Sequence, residues 1–508
     1  MLSLRLLSLL VPSFYVAVSA QDQAFLVESS LGSKCCNALR DELPSIFFDR
    51  GTPEYTIRQA TYYSLQQQML SPMCIVRPSS ASEVSHIVKL AKASQCPFAV
   101  ASGGHMSWKG SSNIHGGFVI DLRRMTQIDV SPKDQMVQLG PGSLWQEVYK
   151  VMAGYNVSTA GGRINAVGVG GFLLGGGIAL ASVEKGYGAD SVFNYEVVLS
   201  DGRIVDANRE NNSDLFWALK LAGSNYGIVT RFDMHTYPCS SIWAGVSVYP
   251  FTEPTTSELL VDFENYLHDE KNRKDFKSVA LKYNGDIGME FVVSIQANLD
   301  SVQLANISSA SPVMHLEGVG TTHDVVDEVL AHALDSTART SWFTLTTKFG
   351  ADFFMDFHAM KEKIFEPLKD RKGLTAMLGF QPIQKSHIEA TAYSPIYNAL
   401  KRSNDDLVCI LIIVTWKDSA DDATLKEATN ALGAWGEAEA RSRGLLDEFV
   451  YFNYANELQR VYERSVTPED LDKMQDIQRK YDSSGTFEKL WRGGYKLPKE
   501  GSMKHDEL

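Results

Sequence analysis

Two glycine-rich stretches of this 508-residue chain carry residue types that could hold a flat or phosphate-bearing ligand. In "ASGGHMSW", residues 101–108, Ser102, Gly103 and Gly104 directly follow a short apolar run. Glycines at the end of a buried strand let backbone N–H groups approach and cradle phosphate oxygens. His105 projects from the end of that loop, where a bound cofactor would lie. A tight turn with a surface histidine is the competing reading. The second stretch, "AVGVGGFLLGGGIALAS", residues 166–182, has six glycines among its 17 residues. A membrane-spanning helix needs about 20 residues. Each glycine in a helix costs up to about 1 kcal/mol against alanine. A G-x-G-x-x-G fingerprint counted from Gly168 puts its third glycine on Leu173, so a Rossmann loop fails. What remains is irregular backbone folded tightly inside protein, close to a ligand.

Several other chemistries are excluded by absence. No H-x-x-x-H or H-E-x-x-H occurs among the eleven histidines, and no metal site is expected. There is no P-loop signature, no G-x-S-x-G nucleophile elbow and no C-x-x-C. A net charge of −13 argues against a nucleic-acid partner, which would need basic patches.

The two ends carry targeting signals. "MLSLRLLSLLVPSFYVAVSA", residues 1–20, has a basic start, an apolar run and small residues at its end, the pattern of a secretory signal peptide. The last four residues, His505 to Leu508, read HDEL, the address for retrieval to the endoplasmic reticulum by a receptor. The expected location is the lumen of the endoplasmic reticulum, with secretion as the alternative. No membrane span is expected after signal cleavage. Six cysteines fit an oxidising compartment. Cys35 or Cys36 is expected to pair with Cys74 or Cys96, and Cys239 and Cys409 to stay free. Sequons stand at Asn156, Asn211 and Asn306.

The elements that position these residues can be read from periodicity. Ser80 and Glu83 have capping-box spacing, and Val84, Ile87, Val88 and Ala91 form an apolar helical stripe. "PFAV" and "GGFVIDL" read as strands, "SLWQEVYKVMAGY" as a helix, and "YEVVLSDGRIVDA" as a hairpin turning on Asp201-Gly202. Further on, "WAGVSVYP", "GMEFVVSIQANL" and "DLVCILIIVTW" read as strands between longer helices, an antiparallel sheet covered by helices. "FVYFNYAN" reads as a strand, and a helix opens at Pro468.

Seven ordered motifs give this chain a family likeness: "CIVRPSSASEVSHIVKLA", "FAVASGGHMSW", "GGFVIDLRRM", "GGRINAVGVGGFLLGGGIAL", "ADSVFNYEVVLSDGRIVDAN", "SDLFWALKLAGSNYGIVTRFDM" and the late "YFNYAN…KYDSSGTFEKL". The sequence resembles the fungal-type, berberine bridge enzyme-like FAD-linked oxidases of the vanillyl-alcohol oxidase and p-cresol methylhydroxylase superfamily. The likeness is strong across about 72–237 and 446–497. It implies an α+β fold: a two-part FAD-binding domain of p-cresol methylhydroxylase type, and a substrate domain whose antiparallel sheet is covered by helices. The expected division is a signal peptide (1–20), an N-terminal segment (21–69), the FAD-binding domain (70–237), the substrate domain (238–445), a C-terminal segment returning to the FAD domain (446–497) and a tail (498–508).

The resemblance also assigns residues. It implies FAD bound covalently through His105 to the flavin 8-methyl group. Many relatives carry a second link from a cysteine; Ile164 stands at that position, so a single linkage is expected. Ser102, Gly103, Gly104 and Ser107 would line the pyrophosphate. Gly161, Gly162, Gly168, Gly171, Gly176 and Gly177 would wrap the cofactor, and Ile228 and Val229 would meet it through backbone atoms. Ala101 departs from the basic residue usual there, and "LAG" at 221–223 is poorer in glycine than in relatives. Tyr451 would be an orienting acid/base group and Asn453 a flavin contact. Two apart on a strand, they would share a face, with Tyr454 turned to the core. The strand "DLVCILIIVTW" offers only Cys409, Leu411 and Ile413 where relatives often place a charged base.

The implied activity is an FAD-dependent oxidase acting on an alcohol, an amine or a secondary-metabolite intermediate. Dioxygen would be the partner that reoxidises the flavin, giving hydrogen peroxide. The alternatives are a dehydrogenase with another acceptor, or a flavoprotein that binds or cyclises its substrate without net oxidation.

Overall fold

Short apolar runs build the first sheet of the computed structural model, which describes residues 20–269, 271–305, 308–330, 338–391 and 393–499. Phe47–Asp49 (β1), Cys74–Val76 (β2), Phe98–Ala101 (β3) and Phe118–Asp121 (β4) lie in the order β1-β2-β4-β3. β4 runs parallel to β2 and β3, and β1 pairs antiparallel with β2. β2 and β4 are buried throughout, as expected of strands covered on both faces. The helix Ala81–Ala93 buries the anticipated stripe Val84, Ile87, Val88 and Ala91. Its N-cap Ser80 accepts from Glu83 N, while Glu83 Oε2 takes the N–H of Ser79 rather than Ser80.

Ile128–Ser131 (β5), Met136–Leu139 (β6), Val157–Ser158 (β7), Val192–Val198 (β8), Ile204–Asn208 (β9), Ile228–His235 (β10) and Tyr237–Pro238 (β11) follow. Of these, β5-β6-β10-β8-β9 form a second, antiparallel sheet, and β7 pairs with β11. The β8–β9 hairpin does not turn on two residues. Leu199 N donates to Arg203 O and Gly202 N to Leu199 O, which leaves Ser200, Asp201 and Gly202 in the loop. Gly202 sits at φ +82°, the left-handed residue that a three-residue hairpin loop requires.

The third sheet has eight strands, all antiparallel: Ile242–Pro250 (β12), Asp275–Asn284 (β13), Met289–Asn298 (β14), Met314–Gly320 (β15), Arg339–Lys348 (β16), Thr375–Ile383 (β17), Leu407–Trp416 (β18) and Leu446–Asp447 (β19). Their order is β15-β12-β14-β13-β17-β18-β16-β19. β18 is buried at all ten positions, because both of its faces are covered. Val408, Ile410, Ile412 and Val414 pack in one core with residues of the helices Ala351–Phe365 and Asp422–Ser442. Leu411 and Ile413 point the other way, against Trp342. The architecture is α+β.

The C-terminal segment packs back on the first sheet. Trp491 bridges Phe98, and Arg492 N donates to Phe98 O at 2.7 Å. The helix Pro468–Tyr481 starts at its proline as expected. "FVYFNYAN", however, is not a strand beyond β19. Tyr454 N and Ala455 N both donate to Tyr451 O, at 3.0 and 3.2 Å, so the chain turns here. Side-chain bonds replace the ladder: Ser465 Oγ accepts from Val450 N, and Asn456 Nδ2 donates to Trp342 O.

Two disulfides join Cys35 to Cys96 and Cys36 to Cys74, and Cys239 and Cys409 are free. They span 61 and 38 residues. Closing loops of that size is worth about 4 kcal/mol each in the chain-entropy account. Replacing both cysteines of either bridge by serine is expected to lower the urea midpoint, slightly more for the longer loop; an unchanged midpoint would count against this. Asn156 and Asn211 are exposed. The leader up to residue 19, the Asn306 sequon and the HDEL tail lie outside the described residues. No helix among the described residues is long and apolar enough to cross a membrane. Within the stretch 166–182, Val169–Leu174 forms a short helix flanked by glycines, a more regular backbone than its composition suggests.

Candidate active site

A cavity of about 590 Å³ opens where the first two sheets, the face of the third sheet and the C-terminal segment meet. That size suits a ligand pocket. Its wall includes Ser102, Gly103, Gly104, His105, Gly162, Gly168, Gly171, Ile228, Val229, Tyr451 and Asn453, all assigned from the sequence. Four assigned residues are not on the wall. Gly161 lies against the Trp145 ring, Gly177 against Phe172, and Gly176 against Ile396 and Tyr187. A side chain at any of these glycines would run into those core rings and side chains. Ser107 is buried off the cavity with its hydroxyl unpartnered.

The loop after β3 is built for an acceptor-rich ligand. Among the described residues, the backbone N–H groups of Gly103, Gly104 and His105 make no hydrogen bond within the protein. A run of unpaired backbone donors on a cavity wall suits the oxygens of a ligand. Gly104 has φ +78°, a conformation other residues rarely adopt. Gly103 and Gly168 touch backbone to backbone: a Cβ on Gly103 would stand 2.6 Å from Gly168 N. A Cβ on Gly171 would meet nothing within 4 Å. The Ser102 hydroxyl is already used, donating to Pro141 O at 2.6 Å. The orphaned Ser111 hydroxyl on the same wall adds a further unused polar group.

His105 stacks on Tyr63 with ring centroids 4.4 Å apart. Removal from bulk water lowers its pKa to about 4, so the imidazole is neutral at neutral pH. Its ring nitrogens hold no hydrogen bond among the described residues. A neutral imidazole with an available lone pair on a cavity wall can act as a nucleophile toward a bound group.

Tyr451 is fixed by two donors to its oxygen, Ile178 N at 2.7 Å and Asn453 Nδ2 at 3.3 Å. Asn453 Nδ2 also donates to Phe172 O at 3.0 Å. Burial first, then the neighbouring Tyr454, push the Tyr451 phenol well above its ordinary range. They outweigh Asn453, the Ile178 N–H and Arg163. Tyr451 therefore stays protonated, with its O–H available to donate. Tyr454 does not turn to the core. It lines the cavity, because the turn at 451–455 removes strand alternation. Its hydroxyl accepts from Arg163 Nη2 at 2.8 Å and donates to Gln381 Oε1 at 3.0 Å.

Sequence reasoning missed Arg163 and Gln381. Both line the cavity, and no motif announces either one. As expected, β18 brings no charged group: Leu411 is its contribution to the wall. No carboxylate lines the cavity among the described residues, and Lys282 reaches it from β13. Away from the cavity, Glu290, His358 and Glu362 bring potential metal-ligand atoms within 4.8 Å of one another. The last two are one helical turn apart, a spacing that a search for paired histidines passes over. The buried Lys361 ammonium sits 2.8 Å from Glu290 and already answers that charge.

The comparisons with known proteins agree with this geometry. A family profile described as an FAD binding domain matches residues 72–208. The bifunctional solanapyrone synthase of Alternaria solani is 30% identical over 441 residues, 84% of this chain and 82% of that protein. An FAD-dependent monooxygenase of Fusarium proliferatum is 29% identical over 458 residues, 86% of this chain and 87% of its own. In fold, the chain is similar to the berberine bridge enzyme-like protein 1 of Physcomitrella patens, with a TM-score of 0.71 at 15% identity over 92% of this chain and 98% of that one. It is likewise similar to 6-hydroxy-D-nicotine oxidase of Arthrobacter nicotinovorans, with a TM-score of 0.69 at 20% identity over 89% and 97%. With a cradle of unpaired backbone donors and a neutral histidine on the wall of its cavity, the chain belongs to the FAD-dependent oxidoreductases, and its fold is that of the berberine bridge enzyme-like proteins.

Proposed function

We propose that the protein is an FAD-dependent oxidase of a small organic substrate, with its flavin tethered once, through His105. The observation that carries this is the cradle: unpaired N–H groups at Gly103 to His105 leading to a neutral imidazole at the edge of a largely apolar cavity. Bound there, the flavin supplies a hydride acceptor that dioxygen regenerates with release of hydrogen peroxide. The chain's own residues bind and orient. Gly103, Gly104 and the close Gly168 hold the phosphate-bearing part, His105 anchors the ring, and Ile228 and Val229 close one side. Ile164 stands where a second tether would need a thiolate. Tyr451 donates its O–H toward the substrate, and Asn453 holds that phenol in place. With no carboxylate on the wall among the described residues, water takes a proton released from substrate. Val246, Val293, Phe276 and Leu411 exclude water from the rest of the space.

The test is to mix the purified yellow protein with candidate substrates anaerobically, and then to admit air. Bleaching followed by return of colour with stoichiometric hydrogen peroxide supports the oxidase. Bleaching that air does not reverse points to another acceptor. No bleaching with any substrate defeats the reading. Relatives named FAD-dependent monooxygenases make oxygen insertion the second reading. Isotopically labelled dioxygen decides between them: an oxidase leaves the label in peroxide, a monooxygenase puts it in product. We also propose that the protein resides in the lumen of the endoplasmic reticulum, supported by the leader and the HDEL end. Removing His505 to Leu508 is expected to send the protein into the medium; full intracellular retention would contradict it.

A further inference from the structure

Arg163, Gln381 and Tyr454 come from three separate parts of the chain and meet on the cavity wall. Arg163 Nη2 donates to Gln381 Oε1 at 2.6 Å and to Tyr454 OH at 2.8 Å, and Nε donates to Ile178 O at 3.2 Å. The guanidinium also lies over the Phe276 ring at 5.0 Å. These bonds hold it in one orientation. Gln381 Oε1 accepts from both Arg163 and Tyr454, so the amide acceptor is consumed. The tyrosine oxygen accepts from Arg163, and its proton goes to Gln381. What this patch offers a ligand is mainly donors. What remains, among the described residues, is the Nη1 end of the guanidinium and the Gln381 amide N–H₂, neither with a hydrogen-bond partner.

A cation in such a place needs explanation. Arg163 pairs with no carboxylate among the described residues, and no carboxylate lines the cavity. Holding an uncompensated guanidinium against apolar walls is costly. Ligand pockets carry few polar groups, and those few fix ligand orientation. A surface that offers mainly donors, one of them permanently charged, matches a group that only accepts. An ionised carboxylate is such a group, with two oxygens that suit the forked guanidinium. We propose that Arg163 and Gln381 form an anion subsite that receives the carboxylate of an otherwise apolar substrate. This rests on the reading of the cavity as the substrate site. Tyr454 acts as a positioning residue, holding the guanidinium and the amide in register.

The experiment compares three probes of one shape on the FAD-loaded protein: 2-naphthoate, 2-naphthalenemethanol and 2-naphthylmethylamine. Binding is read from the change in the visible flavin spectrum, per mole of flavin-bearing protein. 2-Naphthoate is expected to bind at least about tenfold tighter than the alcohol, and the amine weakest. Arg163→Met is expected to weaken 2-naphthoate about 10- to 100-fold while leaving the alcohol unchanged. Arg163→Lys keeps part of the preference, and Lys282→Met keeps all of it. Equal binding of the three probes would overturn the proposal. So would an Arg163→Met variant that prefers the carboxylate as before, or loss of the preference in Lys282→Met instead. If Arg163 merely serves the fold or the flavin, Arg163→Met loses stability or flavin while its remaining holoprotein keeps the preference, which also overturns it. Should Arg163→Met fail to fold, Arg163→Lys and the probe series on the native protein still decide. No turnover is involved, so a failed bleaching test and a failed anion test are separate results.

Discussion

In the His105→Ala protein, acid precipitation is expected to leave the yellow colour in the supernatant, whereas the native pellet stays yellow. The change is close to all-or-none, because a covalent bond either survives denaturation or is absent. The physical case lies in the protonation state. Burial lowers the His105 pKa to about 4, so its ring carries a lone pair at the pH of any plausible compartment. Stacking on Tyr63 fixes the ring plane. His105 makes no hydrogen bond among the described residues, so alanine removes no structural bond and the variant should fold. Flavin should then be held by the cradle alone and be lost gradually on dialysis. A yellow His105→Ala pellet would place the tether elsewhere. A colourless native pellet would mean that there is none.

Gly168→Val is expected to yield protein without flavin. A Cβ at Gly168 would stand 2.7 Å from Gly103 Cα and 2.8 Å from the Ser102 hydroxyl. The Gly103 atoms are backbone of the cradle loop and cannot rotate aside. Overpacking of this kind typically costs about 1–3 kcal/mol, and here the displaced loop carries the donors. Gly171→Ala is the control. Its added methyl meets no atom within 4 Å, so the fold and thermal stability should be unchanged. Flavin content measured by absorbance reads Gly168→Val, and thermal unfolding compares the two variants. A flavin-replete Gly168→Val protein would show that the contact between the two loops does not position the cofactor.

Where one segment supplies the signal, the sequence is a good guide. The stripe Val84, Ile87, Val88, Ala91 gives the helix Ala81–Ala93, and the unbroken apolar run of β18 follows from cover on both faces. "SGGH" and "GVGG" point to the cavity because each is a local run whose glycines serve one purpose together. Glycines further along are ambiguous. Gly161 and Gly177 read as cradle residues, and a Cβ at either would also meet a core ring, Trp145 or Phe172. The turn at Tyr451–Ala455 is hidden because "FVYFNYAN" has strand composition. What bends it is side-chain bonding to distant residues such as Ser465 and Trp342. That bend brings Tyr454 to the cavity. The cluster of Arg163, Gln381 and Tyr454 is the least legible feature. Its members are separated by 218 and 291 residues from Arg163, so no spacing rule could join them.

The central claim is that this cavity holds a flavin bonded to His105, and peptide mapping tests it most directly. Trypsin releases residues 93–109, a peptide with His105 and no internal lysine or arginine. After reduction of the disulfide at Cys96, the predicted result is that this peptide absorbs like a flavin and carries the added mass of one FAD on His105. An unmodified 93–109 peptide, with all of the flavin released into solution or found on another residue, would contradict the account.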